Sequence, residues 1–158
     1  MLAWILYDTQ FGNGKILAEF LKKEFPDNVE VRTGDVKKIS PDSVAKDKPE
    51  VLIVGGAIRM FRGGTKSKKW LKKLNKNLEK IDHKVNYATG FFTHGLPTDK
   101  IQGYAKRFLK KFEKSSMIEK TYDKLLTARV KEQEGPIIDE EMEKSKNFIH
   151  NFLNWIKA

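Results

Sequence analysis

A chain of 158 residues with 39% hydrophobic and 33% charged side chains is long enough to bury the core of one ordinary domain over residues 1–158. Its 10 Phe, 4 Tyr and 3 Trp argue against disorder. The absence of cysteine excludes disulfides, iron–sulfur clusters and thiolate zinc sites, and no apolar run nears the ~18 residues that a membrane span requires. An excess of 31 Lys and Arg over 21 Asp and Glu gives a net charge of +10. Such a surface attracts anions in general, without choosing among nucleic acid, acidic proteins and anionic lipid.

The chain opens with Leu2-Ala3-Trp4-Ile5-Leu6-Tyr7, closed by Asp8, an apolar run of the length of a strand buried on both faces. Its start is too short for a secretory signal and carries no basic leader, so cytosol is the expected compartment. After a polar, glycine-containing segment from Thr9 to Gly14, Leu17, Phe20, Leu21 and Phe25 share one face of a helix that Pro26 and Asp27 stop. Val29-Glu30-Val31 alternates as a second, outer strand, and Ser40-Pro41-Asp42 offers the start of a short helix. Val51-Leu52-Ile53-Val54, running into Gly55-Gly56, reads as the central strand. A loop from Ala57 to Thr65 then leads to a helix whose stripe is Trp70, Leu71, Leu74, Leu78 and Ile81.

Val85 to Thr89 reads as a fourth strand, followed by a loop from Gly90 to Pro97. Ile101, Tyr104, Ala105, Phe108, Leu109 and Phe112 mark the next helix, and a fifth strand falls between Met117 and Val130. The last helix follows Gly135-Pro136 and turns Met142, Phe148, Ile149, Phe152, Leu153 and Ile156 inward. Five alternations of strand and helix predict a parallel sheet with helices on both faces, a three-layer α/β/α fold. Ligands of such sheets bind beyond the carboxyl ends of the strands, where the strand order reverses. The loops after strands one, three and four reach that edge.

The first of these loops, Thr9-Gln10-Phe11-Gly12-Asn13-Gly14 with Lys15, offers a hydroxyl, a side-chain amide and a row of backbone N–H groups at a helix N-terminus. That combination cradles phosphate. A Walker loop would need Gly in place of Thr9 and a hydroxyl in place of Ile16, and a dinucleotide fingerprint would need a small residue in place of Leu17. The segment instead resembles the flavodoxin phosphate loop, Thr/Ser-x-x-Gly-Asn-Thr, matching at Thr9, Gly12 and Asn13 and departing at Gly14, where the family has Thr. The departure removes one hydroxyl that would contact phosphate.

The loop Gly55-Gly56-Ala57-Ile58-Arg59-Met60-Phe61 also looks like the flavodoxin family, whose members include a Gly-Gly-Pro-Thr-Arg-Met type. Its glycines suggest backbone approaching something flat, and Met60 and Phe61 suit an aromatic ring. Thr89-Gly90-Phe91-Phe92-Thr93-His94 is the third loop. Gly135-Pro136 ahead of the last helix is similar to one flavodoxin-like subfamily. The resemblance implies a five-stranded parallel sheet in the order 2-1-3-4-5 and a bound flavin mononucleotide (FMN). It assigns the phosphate to Thr9 and the N–H groups of Gln10 to Gly14, and the ring to Phe61 with Phe91 or Phe92. His94 near a flavin would donate a hydrogen bond or proton.

Neither a Ser-His-Asp order nor paired loop carboxylates appear, and His83, His94 and His150 are too dispersed to build a metal site. That pattern favours redox chemistry carried by the flavin. Arg59 and Arg62 on a +10 background predict a raised reduction potential, because cations favour the anionic reduced flavin. The expected function is an electron carrier between redox protein partners. Alternatives on the same fold are an FMN-dependent quinone or protoporphyrinogen-type oxidoreductase, and a non-redox module binding another phosphate ligand. Lys66, Lys69, Lys73, Lys76 and Lys80 line one side of a helix. They read first as a solvated face, and otherwise as a dock for an acidic redox partner or an anionic leaflet. The stripe lacks interleaved aromatics, which argues against nucleic acid.

Overall fold

The computed structural model describes residues 1–59 and 62–158. Strand β1 (Leu2–Tyr7) is an interior strand whose apolar run is buried from Ala3 to Tyr7. It pairs in parallel with β2 (Glu30–Asp35) on one side and β3 (Val51–Arg59) on the other. Strand β5 (Val85–His94) lies parallel beyond β3, and a two-residue strand β4 (Arg62–Gly63) turns back antiparallel on the end of β3. The sheet runs β2-β1-β3-β5-β6, the expected order, with β6 (Ile118–Thr121) last.

The fifth position is shared. β6 pairs with the first half of β5, from Val85 to Ala88, and β7 (Leu126–Arg129) pairs with its second half, from Phe91 to His94. Residues 122–125 between them are stitched to the sheet. Tyr122 N–H donates to the Ala88 carbonyl at 2.9 Å, and the buried Thr89 hydroxyl donates to the Lys124 carbonyl at 3.0 Å.

Helices α1 (Asn13–Lys23) and α5 (Asp139–Lys157) cover one face of the sheet, where Leu17, Leu21, Phe148 and Phe152 pack on Ile5 and Ile53. Helices α2 (Pro41–Lys46), α3 (Thr65–Ile81) and α4 (Gln102–Glu113) cover the other, where Trp70, Leu74 and Phe108 pack on Leu6 and Leu52. Ser40 caps α2 as its position before Pro41 predicts, its side chain accepting from Ser43 N–H at 3.2 Å. The apolar stripe of α3 ends one turn early: Ile81, expected inside, is exposed.

Two expected loops are strand instead. β3 continues to Arg59 and β5 continues to His94. The register explains both. Gly55 stands opposite Phe91 and Gly56 opposite Phe92. A Cβ on Gly55 would come within 2.0 Å of the Phe91 ring, and one on Gly56 within 2.9 Å of the Phe92 ring. The flat surfaces that these glycines accommodate are therefore two phenylalanines of the neighbouring strand. As adjacent strand residues, Phe91 and Phe92 point to opposite faces and enter the two cores separately.

Candidate functional site

The carboxyl ends of β1, β3, β5 and β7 surround a cleft of about 600 Å³, a size typical of small-molecule sites. The sheet order reverses between β1 and β3 there, so the cleft lies at the switch point.

On the β1 side, the loop from Thr9 to Gly14 wraps into α1. Gly12, at φ 92, caps the helix, and its N–H donates to the Thr9 hydroxyl at 2.9 Å. The first intrahelical bond is Ile16 N–H to the Gly12 carbonyl, at 3.0 Å. The N–H groups of Asn13, Gly14 and Lys15 precede it and have no acceptor within the helix. No side chain caps them and no acid stands in the first turn, so this helix start is open to an anion. Gly14 fits the loop for a local reason: a Cβ there would lie 2.9 Å from the Asp8 carbonyl oxygen. The family's Thr at this position has no room in this turn.

Asn13 has a different role from the one its sequence position suggests. Its side chain is buried and donates to the Gln133 carbonyl at 3.4 Å. It thereby ties the phosphate loop to the segment that follows β7. That segment is itself closed by Lys131 N–H to the Pro136 carbonyl and Gly135 N–H to the Glu132 carbonyl, each at 2.9 Å.

Asp8 directly follows β1 and is buried. Its Oδ2 accepts from Arg59 Nη1 at 3.2 Å, and Lys37 Nζ lies 3.8 Å from Oδ1 and bonds the Thr9 carbonyl. Arg59 is thus matched by a carboxylate. The pair presents less net charge to a ligand than the free guanidinium expected from sequence.

On the β5 side, His94 is buried and its Nδ1 lies 2.8 Å from the Leu96 carbonyl. A carbonyl only accepts, so Nδ1 carries the hydrogen and Nε2 holds the lone pair of the neutral ring. Burial pushes the imidazole below its ordinary value. The Leu96 bond and Glu141 oppose that shift, and Lys144 and Arg129 add to it. Among the described residues, His94 Nε2 and Asp8 Oδ1 are the two buried side-chain atoms without a hydrogen-bond partner. Both residues line the cleft.

Of the residues singled out from sequence, Thr9, Gln10, Phe11, Asn13, Gly14, Ala57, Ile58, Arg59 and His94 come together around the cleft, with Gly12 at its helix cap. Thr89, Gly90, Phe91 and Phe92 do not. They are buried strand residues of β5, and neither phenylalanine reaches the cleft. Met60 and Phe61 lie outside the described residues. Among the lining residues that are described, Phe11, exposed by 41%, is the one aromatic besides the histidine. Thr93 and Leu96 fall in the third loop read from sequence, without an assigned role, whereas Val130 to Gln133 were missed; all of them line the cleft, and Lys37, also missed, approaches it from just beyond the carboxyl end of β2. The 130–133 segment had a signal in its position after the fifth strand, at the same edge. Lys37 had none.

This arrangement of strands, helices and cleft is the flavodoxin-like fold. Solved structures match it over nearly the whole chain. A flavodoxin from the domain Archaea superposes with a TM-score of 0.65 at 15% identity, covering 100% of both chains. Flavodoxin 1 from Bacillus cereus gives 0.70 at 14%, covering 98% of each. A flavodoxin, WrbA-like protein from Agrobacterium tumefaciens gives 0.73 at 12%, covering 99% of this chain and 97% of its own. No protein-family model and no curated protein matches the chain in sequence. No helix among the described residues is long and apolar enough to cross a membrane.

Proposed function

We propose that the cleft holds FMN and that the chain is a flavodoxin-type redox protein carrying electrons between protein partners. The observation that carries this reading is the uncapped start of α1, with the N–H groups of Asn13, Gly14 and Lys15 open at the switch point. A phosphate fits that donor set. The Thr9 hydroxyl holds the loop in shape by accepting from Gly12, and Asn13 anchors it to the 131–135 segment. The residues that would line the ring are Ala57 to Arg59 and Thr93 to Leu96, with the exposed Phe11 beside them. Bound there, the flavin supplies the electron chemistry and the protein positions and shields it.

Calorimetric titration of the purified chain with FMN and with riboflavin tests the reading. FMN at about a hundredfold excess over its Kd raises stability by ~2.7 kcal/mol, and riboflavin, lacking the phosphate, binds at least about tenfold more weakly. Equal affinity for the two would remove the phosphate cradle from the argument. No binding of either would end the redox assignment.

His94 favours a second reading, an FMN-dependent oxidoreductase acting on a quinone. Its unpartnered Nε2, holding the lone pair of the neutral ring at the cleft, could accept a proton from a reacting group, whereas the donation expected from sequence would need a ring that burial keeps unprotonated. Steady-state turnover with a quinone separates this from a carrier.

A further inference from the structure

The net charge is divided unequally between the two helical layers. Helices α2, α3 and α4 together carry twelve Lys and Arg against three Asp and Glu, a net of +9. Helices α1 and α5 carry six against five, a net of +1. The excess therefore sits on one face of the sheet.

Within that face is a second concavity, of about 400 Å³, between the loop after β2 and the first turns of α3. Lys37 and Lys38 form one wall, and Lys66, Lys69 and Lys73, at helical spacings of three and four, form the other. Ile39, Pro41 and Trp70 lie along it. The Trp70 indole N–H donates to the Ile39 carbonyl at 2.8 Å and fixes the base of the groove. No carboxylate lines it among the described residues. Of its five lysines, Lys37 alone makes an ion pair within 4.0 Å among those residues. The cationic field continues toward α4, where burial, Lys111 and Arg107 hold Lys68 below the usual lysine range.

We propose that this groove docks an acidic segment of a protein partner. Lysines without internal counter-ions repel one another, and a partner's carboxylates supply the missing charge. The groove is concave and admits a protruding side chain or loop, which a flat leaflet does not offer. The exposed large hydrophobics among the described residues are Met1, Phe11, Ile16 and Ile81, none of which lines the groove. The groove thus lacks both an exposed stacking platform for bases and an apolar group to insert in lipid.

The groove adjoins the candidate cofactor cleft through Lys37, which lines the first and contacts Asp8 and the Thr9 carbonyl in the second. A partner seated here is next to the cleft. That this places it for electron exchange rests on the FMN reading; the docking does not.

The test is a titration of the isotopically labelled full chain, with and without FMN, by an acidic ferredoxin, followed by amide NMR shifts. Shifts centred on residues 36–41 and 65–73 are expected, with affinity falling at least about tenfold between low and physiological salt. The set Lys66→Glu, Lys69→Glu and Lys73→Glu should abolish them, and the neutral set Lys66→Gln, Lys69→Gln and Lys73→Gln should weaken them. The set Lys22→Glu, Lys23→Glu and Lys146→Glu on the opposite layer should leave them in place. Thermal melts establish that each variant is folded.

Binding that is unaffected by the α3 substitutions overturns the proposal, as does no binding at all. So does tighter association of the same residues with a single-stranded oligonucleotide or with phosphatidylglycerol vesicles than with the ferredoxin. Docking that persists in a chain unable to bind FMN sinks the cofactor reading and leaves the groove intact. FMN binding without docking does the reverse.

Discussion

His94 brings an imidazole into the protein with one nitrogen bonded to the Leu96 carbonyl and the other unpartnered. Burial favours the neutral ring and lowers its affinity for a proton. The consequence for stability has a definite sign. As pH falls through the ordinary histidine value, the unfolded chain takes up a proton that the folded chain refuses, so the native state loses stability on acidification. The window runs from that value down to the lower folded one. Denaturant unfolding at steps from about pH 7 to about pH 5 should show this loss, and His94→Gln should flatten it, since an amide does not titrate. Identical profiles for the two proteins would show that the ring takes up its proton equally in the folded and unfolded chains. The partners Leu96 and Glu141 lie two and 47 positions away in sequence. A histidine in a loop-like string gave a hint of function; its tautomer is set by the neighbouring Leu96 carbonyl, but its burial comes from tertiary packing.

At the scale of elements, the readable parts were those whose signal is local. The buried run of β1, the periodic faces of α1 and α4 and the Ser40-Pro41 cap each follow from neighbouring residues. The ends of β3 and β5 were not readable, because Gly55, Gly56 and Gly90 look like punctuation in sequence. In the folded chain the first two make room for Phe91 and Phe92 across a strand pair. That requirement is set by residues some 36 positions away. The candidate site was half legible for the same reason: the phosphate loop is continuous, and the segments facing it are not. Gly55→Ala isolates the point. Its methyl group would meet a fully buried ring that has nowhere to move, and overpacking of this kind costs roughly 1–3 kcal/mol. A lowered urea midpoint is expected, with partial recovery when Phe91→Leu is added. An unchanged midpoint would mean that the two strands do not pack in this register.

At the scale of the whole molecule, the sheet separates a nearly neutral helical layer from one of net +9. The total of +10 was readable from composition. Its one-sidedness was not, because it depends on which helices share a face. Charge at this density works against the compact state as well as attracting partners. Exposed charges interact over about 10 Å at 0.1 M salt and further in dilute buffer. Salt should therefore stabilise this protein. The thermal midpoint should climb as sodium chloride rises from about 0.01 M to about 0.2 M, where screening becomes short-ranged. The set Lys66→Gln, Lys69→Gln and Lys73→Gln should start from a higher midpoint and respond less. The neutral replacements Lys22→Gln, Lys23→Gln and Lys146→Gln on the other layer should respond like the parent, because acids already offset the cations there. A midpoint that falls with salt would mean that attractive pairs such as Asp8 with Arg59 outweigh the repulsion. The +9 layer would then carry little strain for a partner to relieve.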